Sequence, residues 1–464
     1  MNKFAHRIAP LLAALLLVAC SQVPVLKQPA IDMPSAFKEA PDGTRWKVAQ
    51  PAEAQARGAW WLAFNDPVLT GLIDEATRAN ASLAVAAARV KQARALAGLA
   101  ESDRSPQIGA SIGAQRSGAQ DVAPANQYQA RLTASYEVDL FGRVGASVNA
   151  AKADAAASEA TYKSVLLSLQ ADVAQTYFRL RETDAELATL EQAVQLRVQG
   201  VKVNQSRYDN GDIGEFDLAR AKTELASAKA EAIGLQRQRV QNEHALAVLL
   251  GKPAAMFSAD ASPLPEAGLL PVIPAGLPSK LLERRPDVTA AQRAMIASNA
   301  RIGAARSAMF PAVLLNGAVG TDTASASNLF KWSAHSWVVG ALMSMPLLDG
   351  GRNKANIARS EAVLEESVAA YRQNVLVAFA EVEDNLAGLR ILGGQAEQLD
   401  VAVVAARRSA DLAQKLYAAG RSSYLDLLDA QRNLAAVERS AVQLRGSRAV
   451  TTVALIRSLG GGWE

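Results

Sequence analysis

The run Gln127-Tyr128-Gln129-Ala130-Arg131-Leu132-Thr133-Ala134-Ser135-Tyr136-Glu137-Val138-Asp139-Leu140-Phe141-Gly142-Arg143 changes its hydrophobic period part-way along. Tyr128, Ala130, Leu132, Ala134, Tyr136 and Val138 alternate strictly with polar neighbours, which predicts a strand with one apolar and one polar face. After Gly142 the alternation stops. Over the 66 residues from Arg143 to Tyr208, Leu166, Val173, Leu180, Leu187, Val194, Val201 and Tyr208 recur at every seventh position. With Leu169, Tyr177, Leu190 and Val198 between them, they form the 3.5-residue seam of a helix packed on other helices. At ~1.5 Å per residue that helix would run for about 99 Å, longer than a globular domain of this size contains. Asp209-Asn210-Gly211 ends it, and the chain turns back to Gly251. Residues 143–251 therefore predict a long antiparallel helical hairpin with its tip at Gly211.

The unit occurs twice. At an offset of 209, Gly142-Arg143 falls on Gly351-Arg352, Tyr208 on Tyr417, Gly211 on Gly420, Asp217-Leu218 on Asp426-Leu427 and Leu250-Gly251 on Leu459-Gly460. Upstream, an offset of 205 puts Pro106 on Pro311. The seam has its counterpart in Val375, Val382, Leu389, Ala396, Val403, Ala410 and Tyr417, and a repeat of this kind governs the fold. The 18 prolines agree: none lies within 125–252 or 347–464, while seven fall between Pro253 and Pro286. Gly393-Gly394 interrupts the second long helix and is expected to soften it.

Shorter period-two segments precede each hairpin, at about 107–115 and 127–139 in the first copy and about 312–320 and 336–345 in the second. Ile108, Ala110, Ile112 and Ala114 alternate with Gln107, Gly109, Ser111 and Gly113. Strands of 9–11 residues, apolar on one side and polar on the other, are what a membrane β-barrel needs. Trp337 would serve as an interfacial anchor. Four strands are half the smallest usual barrel, and open edges cannot persist in lipid, so the barrel must be shared between chains. Both 2 × 4 and 3 × 4 strands satisfy the count.

Composition removes other classes. The net charge of +4 from 49 basic and 45 acidic residues argues against a nucleic-acid binder. No apolar run of ~18 residues follows the first twenty positions, so no spanning helix is expected. One cysteine and three scattered histidines (His6, His244, His335) make a metal cluster improbable, and no cofactor is expected. Residues 1–19 have the basic start and apolar stretch of an export signal, ending in Leu17-Val18-Ala19-Cys20. That box resembles a bacterial lipobox, so Cys20 is expected to carry N-palmitoyl and S-diacylglycerol groups. Ser21 after it implies the outer rather than the inner membrane. The expected layout is a signal peptide at 1–19, a lipidated tether at 20–57 and repeat 1 at 58–252. A proline-rich connector at 253–280, repeat 2 at 281–460 with its hairpin at 352–460, and a tail at 461–464 complete it.

In this order, several further motifs resemble the outer-membrane factor family of TolC- and OprM-like channels, in its NodT-type lipoprotein branch. They are Trp60-Trp61 with Phe64-Asn65-Asp66-Pro67, Tyr136 to Arg143, Arg284-Arg285-Pro286-Asp287, Pro346 to Arg352, Tyr424 to Arg432, and Leu459 to Trp463. The resemblance covers nearly the whole mature chain. It implies a homotrimer in the outer membrane of a Gram-negative bacterium, with a 12-stranded β-barrel continuing into a helical periplasmic tunnel. It also implies docking to a periplasmic adaptor (a membrane fusion protein) and an inner-membrane pump of the RND type. The function implied is the exit duct of tripartite efflux of drugs or toxic compounds. A duct for type I polypeptide secretion and a non-conducting trimeric coiled-coil lipoprotein are the alternatives.

The same resemblance marks a periplasmic gate at Leu425, Asp429 and Arg432, which stand at i, i+4 and i+7 on one helix face. Three Asp429 carboxylates around a narrow axis would repel one another and favour cations. Asp217 and Arg220, flanked by Ala219 and Ala221, are expected to support rather than constrict. Gly211 and Gly420 are the hairpin-tip turns expected at the adaptor. Gly142, Gly350 and Gly351 are expected to turn strand into helix. Asp349-Gly350-Gly351-Arg352 lacks the Gly-Lys-Ser/Thr ending of a phosphate loop. Ser35-Ala36-Phe37-Lys38 fits a nucleophile pattern but lies in the tether, and His244 beside Glu243 reads as a surface or interhelical histidine. No enzyme site is expected.

Overall fold

The computed structural model describes residues 22–27, 38–39, 58–120, 122–265, 270–271 and 284–461. The export signal, Cys20, Ser35 and the last three residues lie outside them. The chain order is α1 (Pro67–Ala79), α2 (Ala81–Ser102), β1 (Gln107–Ala119), β2 (Val122–Val138), α3 (Arg143–Asp209) and α4 (Glu215–Leu249). The second copy follows with α5 (Pro286–Ser307), β3 (Ala312–Thr323), β4 (His335–Ser344), α6 (Arg352–Ala418) and α7 (Tyr424–Ser458). The hairpins match to the residue: α3 and α6 have 67 residues each, and α4 and α7 have 35 each.

The chain divides into two compact units. One holds the strands and flanking helix segments within 87–161 and 287–374. Its sheet is antiparallel in the order β1-β2-β3-β4. Ile108 pairs with Ala134, Leu132 with Val319 and Val319 with Trp337, so one face carries Ile108, Ile112, Leu132, Tyr136, Leu315, Val319, Val339 and Met343. The other face holds Gln107, Ser111, Gln127, Arg131, Thr133 and Asp322, with Arg131 and Asp322 paired at 2.8 Å. Ile108, Ile112, Trp337 and Val339 are nearly as exposed as free side chains, and nothing among the described residues covers this apolar face. Among the described residues β1 and β4 remain as unpaired edges.

The turns into α3 and α6 are built from acids and glycines. Gly142, Gly350 and Gly351 have φ of 74°, 64° and 87°, and an added Cβ would touch nothing at any of them. Backbone conformation alone demands glycine there. Asp139 accepts from the N–H groups of Val144 (2.9 Å) and Gly145 (2.6 Å), capping α3. Asp349 accepts from Gly351 and Asn353 at 2.9 Å each, and these backbone donors hold its carboxyl below the usual range.

The other unit contains the hairpin ends, the residues before α2, and the connector. The seam positions Val173, Leu180, Val375 and Val382 are fully buried. Trp60 packs edge to face on Phe64, and Phe178 lies tilted against Phe64, with Leu69, Ile73, Leu246 and Ile456 around them. Asp66 caps α1 through the N–H groups of Val68 and Leu69 and accepts from the Tyr177 hydroxyl at 2.6 Å. Burial first, then this bond, pushes the Tyr177 hydroxyl up to about 12. Arg181 and Arg239 donate to the carbonyls of Asp260 (2.6 Å) and Ala259 (2.7 Å), while Asp184 accepts from Ser262, so buried charges strap the connector down. Arg285 donates to Glu381 at 2.6 Å and to the Ser458 carbonyl at the end of α7. The glycines Gly393 and Gly394 leave α6 unbroken.

Candidate functional site

The loop between α6 and α7 closes at Gly420, with φ of 70° and Schellman-type bonds from Gly420 to Tyr417 (3.0 Å) and from Arg421 to Leu416 (2.8 Å). Gly211 does the same between α3 and α4, with φ of 78° and bonds to Tyr208 and Arg207. The helices that leave these tips start differently. Ser423 and Asp426 form a reciprocal capping box on α7, whereas Gly214 offers α4 no side-chain cap. Tyr424 then packs toward α3, its hydroxyl 3.2 Å from where a Cβ on Gly200 would stand, and 5.9 Å separates its ring from Tyr417. Arg207 donates to the Tyr417 hydroxyl at 3.1 Å. A groove of about 540 Å³ runs beside them, lined by Gln192, Leu196, Gly200, Gln414, Tyr424 and Leu434.

Leu427 and Leu428 are buried and fix the rotation of α7. That leaves Leu425, Asp429 and Arg432 on the exposed face. Leu425 keeps 39% of its surface and the Asp429 side chain 61%, with the Arg432 guanidinium 3.6 Å from Asp429. The main partner of Arg432 is a residue that sequence reasoning missed. Its Nε donates to Glu224 of α4 at 2.9 Å, and a second guanidinium nitrogen bonds the other carboxylate oxygen. Arg197 of α3 lies 3.9 Å from the same carboxylate. The hydrogen bonds from Arg432, reinforced by the charges of Arg197 and Arg220, hold the Glu224 carboxyl below its ordinary range. The acid side chain is only 12% exposed, so this bidentate pair is partly desolvated and ties the second hairpin to the first.

At the 209-residue offset, the positions matching Leu425, Asp429 and Arg432 are Phe216, Arg220 and Thr223. The first tip thus presents an exposed aromatic and an opposite charge. Phe216, 74% exposed, was visible in the sequence as an apolar residue just after a turn. His244 lies exposed on α4, and Glu243 accepts from the Ala259 N–H at 2.6 Å, a connector contact rather than a catalytic one. No metal-binding group of acids, histidines and cysteine occurs among the described residues.

An amphipathic sheet with open edges, together with two long helical hairpins, is what a channel subunit of the outer membrane requires. The chain belongs to the outer membrane efflux protein family, whose profile matches residues 72–252 and 277–461, once for each copy of the repeat. It is similar to the cation efflux system protein CusC of Escherichia coli O6:H1, 31% identical with 99% of each chain covered. It is 33% identical to the solvent efflux pump outer membrane protein SrpC of Pseudomonas putida, over 98% of each. The open-state crystal structure of the Neisseria gonorrhoeae MtrE outer membrane channel superposes with a TM-score of 0.84 at 30% identity, covering 96% of this chain and 98% of that one. The protein is an outer-membrane efflux channel of a Gram-negative cell, reaching into the periplasm. These relatives are channels and not enzymes.

Proposed function

We propose that three copies close their four-stranded sheets into one 12-stranded barrel and their hairpins into a periplasmic tunnel, forming the passive exit duct of a tripartite efflux pump. Cys20 carries the lipid anchor. The tips at Gly211 and Gly420 meet a periplasmic adaptor, and the pump behind it is of the RND type. Leu425 and Asp429 form stacked rings at the closed periplasmic end, the first steric and the second electrostatic. Arg432 is the latch, holding α7 against α4 through Glu224. The duct wall meets cargo only in passage. Relatives of near-equal identity are named for cations and for solvents, which supports leaving cargo choice to the pump.

The observation that carries this reading is the apolar sheet face with two unpaired edges, which has no stable state in lipid except closure by further copies. Single-channel recording in planar bilayers tests it. Asp429→Ala should raise conductance and weaken cation preference, whereas Leu425→Ala should raise conductance with selectivity nearly unchanged. Parent-like currents from both variants would make these residues ordinary helix surface.

A further inference from the structure

The two turns at the far end of the sheet are unlike each other. β1 ends at Ala119 and β2 begins at Val122, only three positions further along the chain. The β3–β4 connection, residues 324–334, forms two ordered 3-10 turns and carries Leu329, Phe330, Lys331 and Trp332. Phe330 is 80% exposed, Trp332 84% and Trp337 78%. Two dispositions are open to such a loop in a barrel: across the lumen, or out over the surrounding lipid.

His335 decides between them. It pairs with Thr321, two residues along from the Val319–Trp337 pair, so its side chain shares the apolar outer face with Trp337. The Trp332 ring lies 4.4 Å from the His335 ring. The loop is therefore folded onto the lipid-facing side of the sheet. Its polar groups are fixed as well. The carbonyls of Lys331 and Trp332 can only accept, so His335 Nδ1 carries the hydrogen it donates to them, at 3.2 and 2.9 Å. The strand acid Asp322, on the polar face, is taken by Arg131 and Gln127. No carboxylate among the described residues pairs with Lys331.

We propose that this loop binds the phosphorylated glycolipid of the outer leaflet. Phe330, Trp332 and Trp337 enter the boundary between acyl chains and headgroups, and Lys331 meets a lipid phosphate. Aromatic rings favour that boundary because one end is apolar and the other can stay wet. An unpaired ammonium above them is placed for an anionic headgroup. The patch continues the lipid-facing surface of the sheet, which makes lipid its occupant rather than a protein. The inference rests on the outer-membrane channel reading.

The test uses the full-length channel in nanodiscs of phosphatidylcholine containing graded fractions of purified lipid A. Lipid A retained per channel is counted by native mass spectrometry, and conductance is recorded from the same preparations. The parent should retain lipid A, and added salt should weaken retention. Lys331→Glu should raise the half-saturating fraction about tenfold, as should Phe330→Ser with Trp332→Ser, both with parent conductance. A parent that conducts but retains no lipid A, or variants that retain it unchanged, would overturn the loop site and leave the channel standing. Loop variants with much larger conductance would place the loop across the lumen and also overturn it. A parent that never conducts would sink the channel reading, and the loop site with it.

Discussion

Glu224 and Glu182 are two acids whose surroundings give opposite predictions. Glu224 is held ionised by the fork of Arg432. Glu224→Gln keeps the shape but removes the charge, so the latch should weaken by about 1–2 kcal/mol. The closed state should then leak, with open probability rising roughly tenfold in bilayer recordings; unchanged gating would mean that the pair only decorates the tip. Glu182 lies against Gly446 of α7, its carboxylate where a Cβ would have to stand. Burial first, then repulsion from Glu186, pushes it up to about 7, with Arg179 opposing. Glu186 is itself bonded by Arg439 at 3.1 Å. For an acid raised on folding, the folded state binds the extra proton between pH ~4.5 and ~7. Stability therefore falls as pH rises through that window and stays reduced above it. Glu182→Gln should raise the thermal midpoint at pH 8, by an amount equivalent to about 1 kcal/mol per chain after discounting for solvent, and leave it unchanged at pH 4. A gain equal at both pH values would assign the effect to packing.

Elements were legible in this chain to the extent that they are periodic. The seven-residue seam and the strand alternation are local properties, and both helical hairpins appear in the structure at the 209-residue offset. Strand ends read less well. β2 starts at Val122, five residues before the alternation does, because Ala125 and Asn126 still pair with Ser117 and Arg116. Beyond the apolar band both faces meet water, so no alternation is needed to hold a ladder together. Gly393-Gly394 do not break α6, since two glycines at about 1 kcal/mol each are outweighed by the packing of a 67-residue helix. Glu224 was invisible for another reason: it meets Arg432 across 208 residues, and the contact depends on how two helices rotate together. The capping role of Asp139 belongs at this scale too. Asp139→Ala should cost about 1 kcal/mol and fray the first turn of α3, seen as faster amide exchange at Val144 and Gly145. Exchange equal to the parent would move the cap elsewhere.

At the scale of the whole assembly, the deciding fact is that the sheet ends in two free edges, β1 and β4. In the order β1-β2-β3-β4 every neighbour is antiparallel, so β4 of one copy meets β1 of the next antiparallel in a ring of any size. Strand count therefore allows two copies or three, and the choice falls to the lumen. An eight-stranded barrel is filled by its own inward side chains, which here include Gln127, Arg131 and Glu137 from β2 and Leu314 and Leu342 from β3 and β4. A duct for solutes needs more circumference, and twelve strands provide it. Native mass spectrometry in mild detergent should accordingly find three chains. Cys20→Ser should lose the lipid mass and its incorporation of labelled palmitate yet keep the three-chain species and its conductance, because strand pairing rather than acylation closes the ring. A two-chain species that conducts would overturn the lumen argument. Dissociation of the Cys20→Ser channel into single chains would mean that the anchor, and not the sheet edges, holds the assembly together.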